Sequence, residues 1–207
     1  MLSKRLKMIA SLVTTESVID VGCDHGYLDI YLTQKGIKCL ATDISEKSLL
    51  KAIDNFKCYN LNIKTKLTDG LNGIDIKEKD TIIISGMGTD TINRILNKDI
   101  NNDLIICSNN HLEKLRRYIV NKGYYISDEI FVMENDKPYM IIKFKKGFKK
   151  YNDFEYIIGP VINDKEYFKF LNNKYHTLLD KIPLKYHDKR KLYLNLIDYL
   201  ENIMYKA

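Results

Sequence analysis

The chain has 207 residues, carries a net charge of +6 and is 45% apolar. That supports one full-sized core with a small appendage and excludes a disordered chain. No apolar run approaches the roughly 20 residues that cross a bilayer, and the charged opening Leu2-Ser-Lys-Arg-Leu6 does not read as a secretory leader. The cysteines Cys23, Cys39, Cys58 and Cys107 fit no zinc spacing. They read as small apolar residues in a reducing, cytoplasmic compartment, with no metal expected. A basic chain suggests a polyanionic partner. Lys, Ile and Asn are abundant throughout, however, so charge alone leaves that partner open.

In chain order, residues 2–13 place Leu2, Leu6, Ile9, Leu12 and Val13 on one helical face, with Lys4, Arg5 and Lys7 largely off it. A regular alternation follows. Strands are predicted at Val18–Val21, Cys39–Asp43, Lys64–Thr68, Thr81–Ser85 and Leu104–Cys107. Helices are predicted over 27–35, from Ser45 onward, over 90–97 and over 111–121, the last stopped by a C-capping Gly123. Tyr125–Met133 and Tyr139–Phe144 are then two strands joined by a hairpin loop from Glu134 to Pro138. Repeated β–α units imply a parallel sheet covered on both faces, and the final hairpin adds an antiparallel strand. The lysines at 143, 145, 146, 149 and 150 mark the end of this domain, 1–150. Residues 151–207 hold two helices, over 165–181 and 188–205, separated at Pro183. Their apolar stripes (Phe168, Leu171, Tyr175, Leu178, Leu179, then Leu192, Leu196, Tyr199, Leu200) make a helical hairpin.

The chemistry concentrates at strand ends. Val18 to Leu28 is an apolar strand ending in Asp20, Gly22, Asp24 and Gly26 before a helix. Glycines there let a ligand approach the backbone, at the carboxyl end of the strands where such sheets bind ligands. The spacing is not the G-x-G-x-x-G of a dinucleotide site, and a pyrophosphate would not want two carboxylates. A cofactor carrying an ammonium and a sulfonium would, which favours S-adenosylmethionine. Asp43, followed by Ile44, ends the second strand about 20 residues past the glycine turn, where a carboxylate can accept both ribose hydroxyls. Thr68-Asp69-Gly70 at the third strand end can frame an adenine. Ser85-Gly86-Met87-Gly88 at the fourth lies beside the cofactor.

These residues, with Leu2-Ser-Lys-Arg-Leu6, Asp24-His-Gly-Tyr-Leu28, Gly86-Met-Gly88, Leu115-Arg-Arg117, Gly123-Tyr124 and Gly159-Pro160, resemble the TrmK family of bacterial tRNA (adenine-22, N1)-methyltransferases over nearly the whole chain. The resemblance implies a Rossmann-like class I methyltransferase domain, α/β with a seven-stranded, mostly parallel sheet. It also implies a coiled-coil-like C-terminal helical hairpin. S-adenosylmethionine becomes the methyl donor, S-adenosylhomocysteine the product, and N1 of adenine 22 in tRNA the acceptor. Two positions depart from the family. Thr89 stands where a third glycine is frequent, and Cys107-Ser108-Asn109 replaces Gln-Pro-Asn.

Neutral adenine N1 has a free lone pair, so positioning and nearby negative or dipolar groups matter more than a strong base. Asp24, His25, Tyr27 and Asn109 are the candidates near the methyl. Asp24 is favoured for the cofactor and developing charge, and Tyr27 for stacking the base. His25 is open between a structural and a functional role. Lys4, Arg5, Lys7, Arg116 and Arg117 are candidate phosphate contacts. A monomer without membrane attachment is expected. A small-molecule methyltransferase and a non-catalytic RNA-binding module are the alternatives.

Overall fold

The computed structural model describes residues 2–206. The chain forms two compact units, Met1–Val161 and Ile162–Ala207. The first contains β1 (Ser17–Val21), β2 (Lys38–Asp43), β3 (Lys64–Leu67), β4 (Asp80–Met87), β5 (Leu104–Ser108), β6 (Tyr124–Glu134) and β7 (Lys137–Lys146). Its helices are α1 (Lys4–Ser11), α2 (Tyr27–Gln34), α3 (Glu46–Cys58), α4 (Thr89–Ile95), α5 (Leu112–Asn121) and α6 (Asp153–Ile158). The second contains α7 (Lys165–Lys181) and α8 (His187–Lys206).

The sheet has seven strands in the order β3-β2-β1-β4-β5-β7-β6. The first five are parallel neighbours, and β7 runs antiparallel to both β5 and β6. The hairpin therefore enters with its second strand first, and β6 forms the outer edge. Central strands are apolar on both faces because helices cover both. Ile82, Ile83 and Ile84 of β4 and Leu104, Ile105 and Ile106 of β5 are all buried. With the order reversing between β1 and β4, the carboxyl ends of these strands open a crevice there.

Local chemistry sets the boundaries. Ser3 caps α1 by accepting the Leu6 N–H at 3.3 Å, and Ser45 caps α3 by accepting the Ser48 N–H at 3.3 Å. The hairpin loop is tighter than the sequence reading. Asn135 and Asp136 alone turn the chain, at φ 50° and 58°, the two positive angles a two-residue turn requires. Pro138 lies inside β7, beyond the residues that pair with β5, where its missing N–H interrupts no ladder to that strand.

The first unit ends at Val161 rather than at Lys150, because α6 belongs to it. Asn152 and Glu155 form a reciprocal capping box at its start. Arg116 receives its other end. From α5, Nη1 donates to the carbonyls of Tyr156 and Ile157 at 2.9 and 3.2 Å, and Nε donates to Glu129 at 2.7 Å. In the second unit, Tyr167, Phe168, Leu171, Tyr175 and Leu179 of α7 are buried, as are Leu196, Ile197 and Leu200 of α8. Leu192, expected in the stripe, is 44% exposed. Arg190 is not a free cation: Nη1 donates to the carbonyls of Leu179 and Ile182, closing the C-terminus of α7. No helix among the described residues is long and apolar enough to cross a membrane.

Candidate active site

A cavity of about 390 Å³ opens at the carboxyl ends of β1, β2 and β4. Asp20, Gly22, Asp24, His25, Tyr27, Asp43, Ile44, Asp69, Gly70, Gly86 and Met87 line it. Eleven residues singled out from strand ends thus meet in one place.

The turn from β1 to α2 forms the floor. Gly22 (φ 82°) and Cys23 both donate their N–H to the Thr42 carbonyl, at 2.8 and 2.9 Å. A Cβ on Gly22 would lie 2.4 Å from Met87 Cε, so the glycine permits the close approach of the β1 and β4 ends. Gly26 serves another purpose. It does not line the cavity, and a Cβ there would lie 2.4 Å from the Phe56 ring. Its glycine lets α2 pack on α3. Gly26→Ala, at φ 68°, is expected to cost about 2 kcal/mol through overpacking and left-handed strain. Thermal unfolding measures this, and a loss under about 0.5 kcal/mol would show that Phe56 yields freely. Gly88 is likewise outside the lining and acts as the N-cap of α4.

Asp43 is held from two sides: Oδ2 accepts the Asp24 N–H at 3.2 Å and Oδ1 the Ser45 N–H at 2.8 Å. A carboxylate oxygen has a further lone pair, so both remain available to hydroxyl donors. Asp24 sits at φ 51°, uncommon for a non-glycine residue, and its side chain is 70% exposed. Its Oδ2 lies 2.8 Å from His25 Nδ1, and the His25 ring stacks on Tyr27 with centroids 6.0 Å apart. Tyr27 is 48% exposed. His25 is therefore neither a satisfied core histidine nor isolated, since it joins the loop carboxylate to an open aromatic face. Asp20 is buried beneath them, and burial raises its carboxyl to about 7.

At the third strand end, Asp69 accepts both Arg94 Nη1 and Nη2, at 2.8 and 3.3 Å. Arg94 comes from α4 and lines the same cavity. Across the cleft, Asn109 is outside the lining but at its rim: Nδ2 donates to the Gly86 carbonyl at 2.8 Å. The two departures from the family pattern meet here. Thr89 Oγ1 is 2.9 Å from Ser108 Oγ and donates to the Asn110 carbonyl at 2.6 Å, while its N–H donates to Asn110 Oδ1 at 3.0 Å. Both hydroxyl residues are buried, so they fasten the β5 end to the start of α4. Thr89→Val is expected to destabilise by about 0.5–1.5 kcal/mol, because the Asn110 carbonyl loses its shorter donor while keeping Ser108 Oγ at 3.0 Å. Urea unfolding is the check.

The candidate phosphate contacts divide. Arg116 is fully buried and paired with Glu129, so it cannot reach a phosphate. Arg117 is bound to Glu113 and Asp153 and lies over the Tyr156 ring, which leaves it little free charge. Arg5 turns into the cavity, where Nη1 donates to Ser85 Oγ at 3.1 Å and the guanidinium lies over Tyr139. Lys4 and Lys7 are exposed on α1. Arg5 and Arg94 are cavity residues that the sequence does not mark. Both sit on helices, where nothing local marks an arginine that points into a cleft.

The cavity combines four carboxylates with two arginines already engaged by Ser85 and by Asp69. Such a set suits a cationic ligand that also offers hydroxyls. Comparison with known proteins agrees. A family described as "Methyltransferase domain" matches residues 2–142. The chain is 33% identical over 156 residues to the tRNA (adenine(22)-N(1))-methyltransferase of Bacillus subtilis, covering 70% of this chain and 66% of that protein. It is similar, at 31% identity and a TM-score of 0.83, to TrmK of M. capricolum in complex with S-adenosyl-homocysteine, covering 98% and 97%. The fold is also that of B. subtilis TrmK, with a TM-score of 0.81 at 23% identity, covering 98% of each chain.

Proposed function

This chain belongs to the TrmK family of tRNA (adenine-22, N1)-methyltransferases, and we propose that it transfers a methyl group from S-adenosylmethionine to N1 of adenine 22 in tRNA. The observation that carries this reading is the carboxylate-lined cavity, with its Gly22 floor, at the ends of β1, β2 and β4. Asp43 would take the ribose hydroxyls, Asp20 and Asp24 the cationic amino-acid end, and Gly70 beside Asp69 the adenine edge.

When bound, S-adenosylmethionine supplies an electrophilic methyl on sulfur. The protein then has to hold neutral N1 in line with it and tolerate the positive charge that grows on the base. Tyr27 offers an exposed ring for stacking, which a base drawn out of folded tRNA needs. His25, held by Asp24, fixes that ring. Asn109, anchored on the Gly86 carbonyl, sets the opposite rim. No proton has to leave N1 before attack, so neither a strong base nor a metal is called for.

The helical unit from Ile162 on is read as a tRNA contact, and the protein as a monomer acting in the cytoplasm. Lys169, Lys174, Lys181 and Lys189 are exposed on α7 and α8. A chain ending at Val161 is expected to bind S-adenosylmethionine as the full chain does and to bind tRNA more weakly. That difference should shrink as salt rises, because phosphate contacts release counterions. The function itself is tested by incubating the protein with bulk tRNA and radiolabelled donor, then digesting and identifying nucleosides by mass spectrometry. N1-methyladenosine is expected in tRNA, with free adenosine unmodified. A different methylated nucleoside alone would overturn the assignment.

A further inference from the structure

Asp29 has no place in the site described above, yet it is the most anomalous acid in the molecule. It lies in the first turn of α2 and is 0% exposed. Neither of its carboxylate oxygens has a donor in hydrogen-bond geometry among the described residues, and the one N–H that bears on them is its own. The side chain it adjoins is another buried acid, Asp20, which is 4% exposed and lines the cavity. Two carboxylates can hydrogen-bond only if one of them carries a proton.

The groups around the pair do not neutralise it. Asp43 at the end of β2 adds further negative charge. Cys23 in the glycine turn and Cys39 on β2 are thiols kept protonated by the same burial and by these carboxylates. Thr33, on α2 itself, has a hydroxyl that also lacks a partner. Of the two arginines that line the cavity, Arg5 is committed to Ser85 and Tyr139 and Arg94 to Asp69. Burial raises both carboxyls; the charge of Asp20 raises Asp29 further, whereas the hydrogen bond from Asp29 works against the rise of Asp20.

We propose that Asp29 is a positioning residue for the methyl donor: it stays protonated, donates its O–H to Asp20, and so aims the free oxygen of Asp20 at the donor's ammonium group. The proposal rests on the assignment of the cavity to S-adenosylmethionine. In the empty cavity Asp20 also takes up a proton, and the incoming ammonium displaces it to solvent. The balance is one proton released for one cation bound, with no other bond made or broken.

The sign of the pH dependence follows. A raised empty-state carboxyl that ionises on binding makes affinity rise with pH until the donor's own ammonium starts to titrate, near about pH 8. On the acid side the rise approaches about tenfold per pH unit, as one released proton requires. Calorimetry of S-adenosylmethionine binding in buffers of different ionisation enthalpy counts that proton directly. For wild type, a release approaching one at pH 6 and falling as the pH rises through 7 is expected, with uptake replacing release above about pH 8, where the free donor's own ammonium titrates. Asp29→Asn keeps a neutral N–H donor towards Asp20 and should retain the wild-type pH profile. Asp29→Leu removes the donor and should move the profile to higher pH. Binding without proton release in wild type would overturn the proposal while leaving the cofactor assignment standing. So would an Asp29→Asn profile moved more than a unit towards acid, which would mean that Asp29 is ionised. So too would an Asp29→Leu profile identical to wild type. If Asp29→Leu does not fold, the other two measurements still decide. No binding by folded wild type at any pH would instead remove the cofactor assignment on which the proposal rests.

Discussion

Arg116→Ala is expected to destabilise the first unit by about 3–5 kcal/mol, the usual cost of stranding one partner of a buried ion pair. The guanidinium is fully buried and donates 2.7 Å to Glu129, itself fully buried in its side chain. It also donates to the last carbonyls of α6, including Ile158 at 3.5 Å. Glu129 in turn accepts the Val161 N–H at 3.2 Å, so the pair secures both the end of α6 and the segment after it. Removing the arginine leaves a buried charge and a helix terminus without donors. Replacing both members by apolar residues, Arg116→Met with Glu129→Leu, should cost less than Arg116→Ala alone, because no charge is then stranded. Urea unfolding followed by circular dichroism compares the three proteins. A loss below about 1 kcal/mol for Arg116→Ala would show that water or rearrangement replaces the clamp. The tRNA affinity of whatever folds should keep its salt dependence, since a buried guanidinium neutralises no phosphate.

Asp43→Ala is expected to weaken S-adenosylmethionine binding by about 1.5–3 kcal/mol, tenfold or more in affinity, the range for hydrogen bonds to a charged group. Asp43 is held ready by the N–H groups of Asp24 and Ser45, so little ordering remains to be done when a ribose arrives. Alanine removes these loop contacts as well, whereas Asp43→Asn keeps one acceptor and separates the two effects. Asn should recover part of the affinity if the loop matters, and little if the ribose needs the full charge. Calorimetry on proteins with matched unfolding temperatures is the measurement, and wild-type affinity for folded Asp43→Ala would remove Asp43 from ribose binding.

The strands and most cavity residues were legible because both signals are local. Apolar runs ending in Asp20, Asp43 and Ser85 mark strand ends, and a doubly wound sheet places such ends side by side. What escaped depended on distant partners. Arg116 and Arg117 are chemically identical neighbours, but one turns inward to Glu129 and the other lies on the surface with Glu113 and Asp153. Nothing within the helix distinguishes them. Arg5 was correctly placed off the apolar face of α1, yet that face does not tell whether the off-face side chain meets RNA or the cleft. Gly26 belongs to the same glycine turn as Gly22, but its neighbour is Phe56, 30 residues on in sequence, so its role is decided by helix packing. The short α6 was missed although its capping pair, Asn152 and Glu155, stood in the sequence. A six-residue helix is too short to show an apolar period.

The strand order β5-β7-β6 has a consequence for how the chain is made. A ribosome delivers β6 before β7, but β6 has no place on the sheet until β7 lies between it and β5. The edge of β5 stays open while residues 109–136 emerge, and Arg116 must wait about 40 residues for the α6 carbonyls that accept it. The nascent first unit is therefore an incomplete five-stranded sheet with an open edge until β7 has left the exit tunnel, and Arg116 lacks its α6 carbonyls until nearly 160 residues have done so. A synonymous-codon pause placed between β6 and α6 should prolong that interval and raise the aggregated fraction in cells. The same pause placed once α6 has cleared the exit tunnel should leave it unchanged, because by then both the sheet and the clamp have closed.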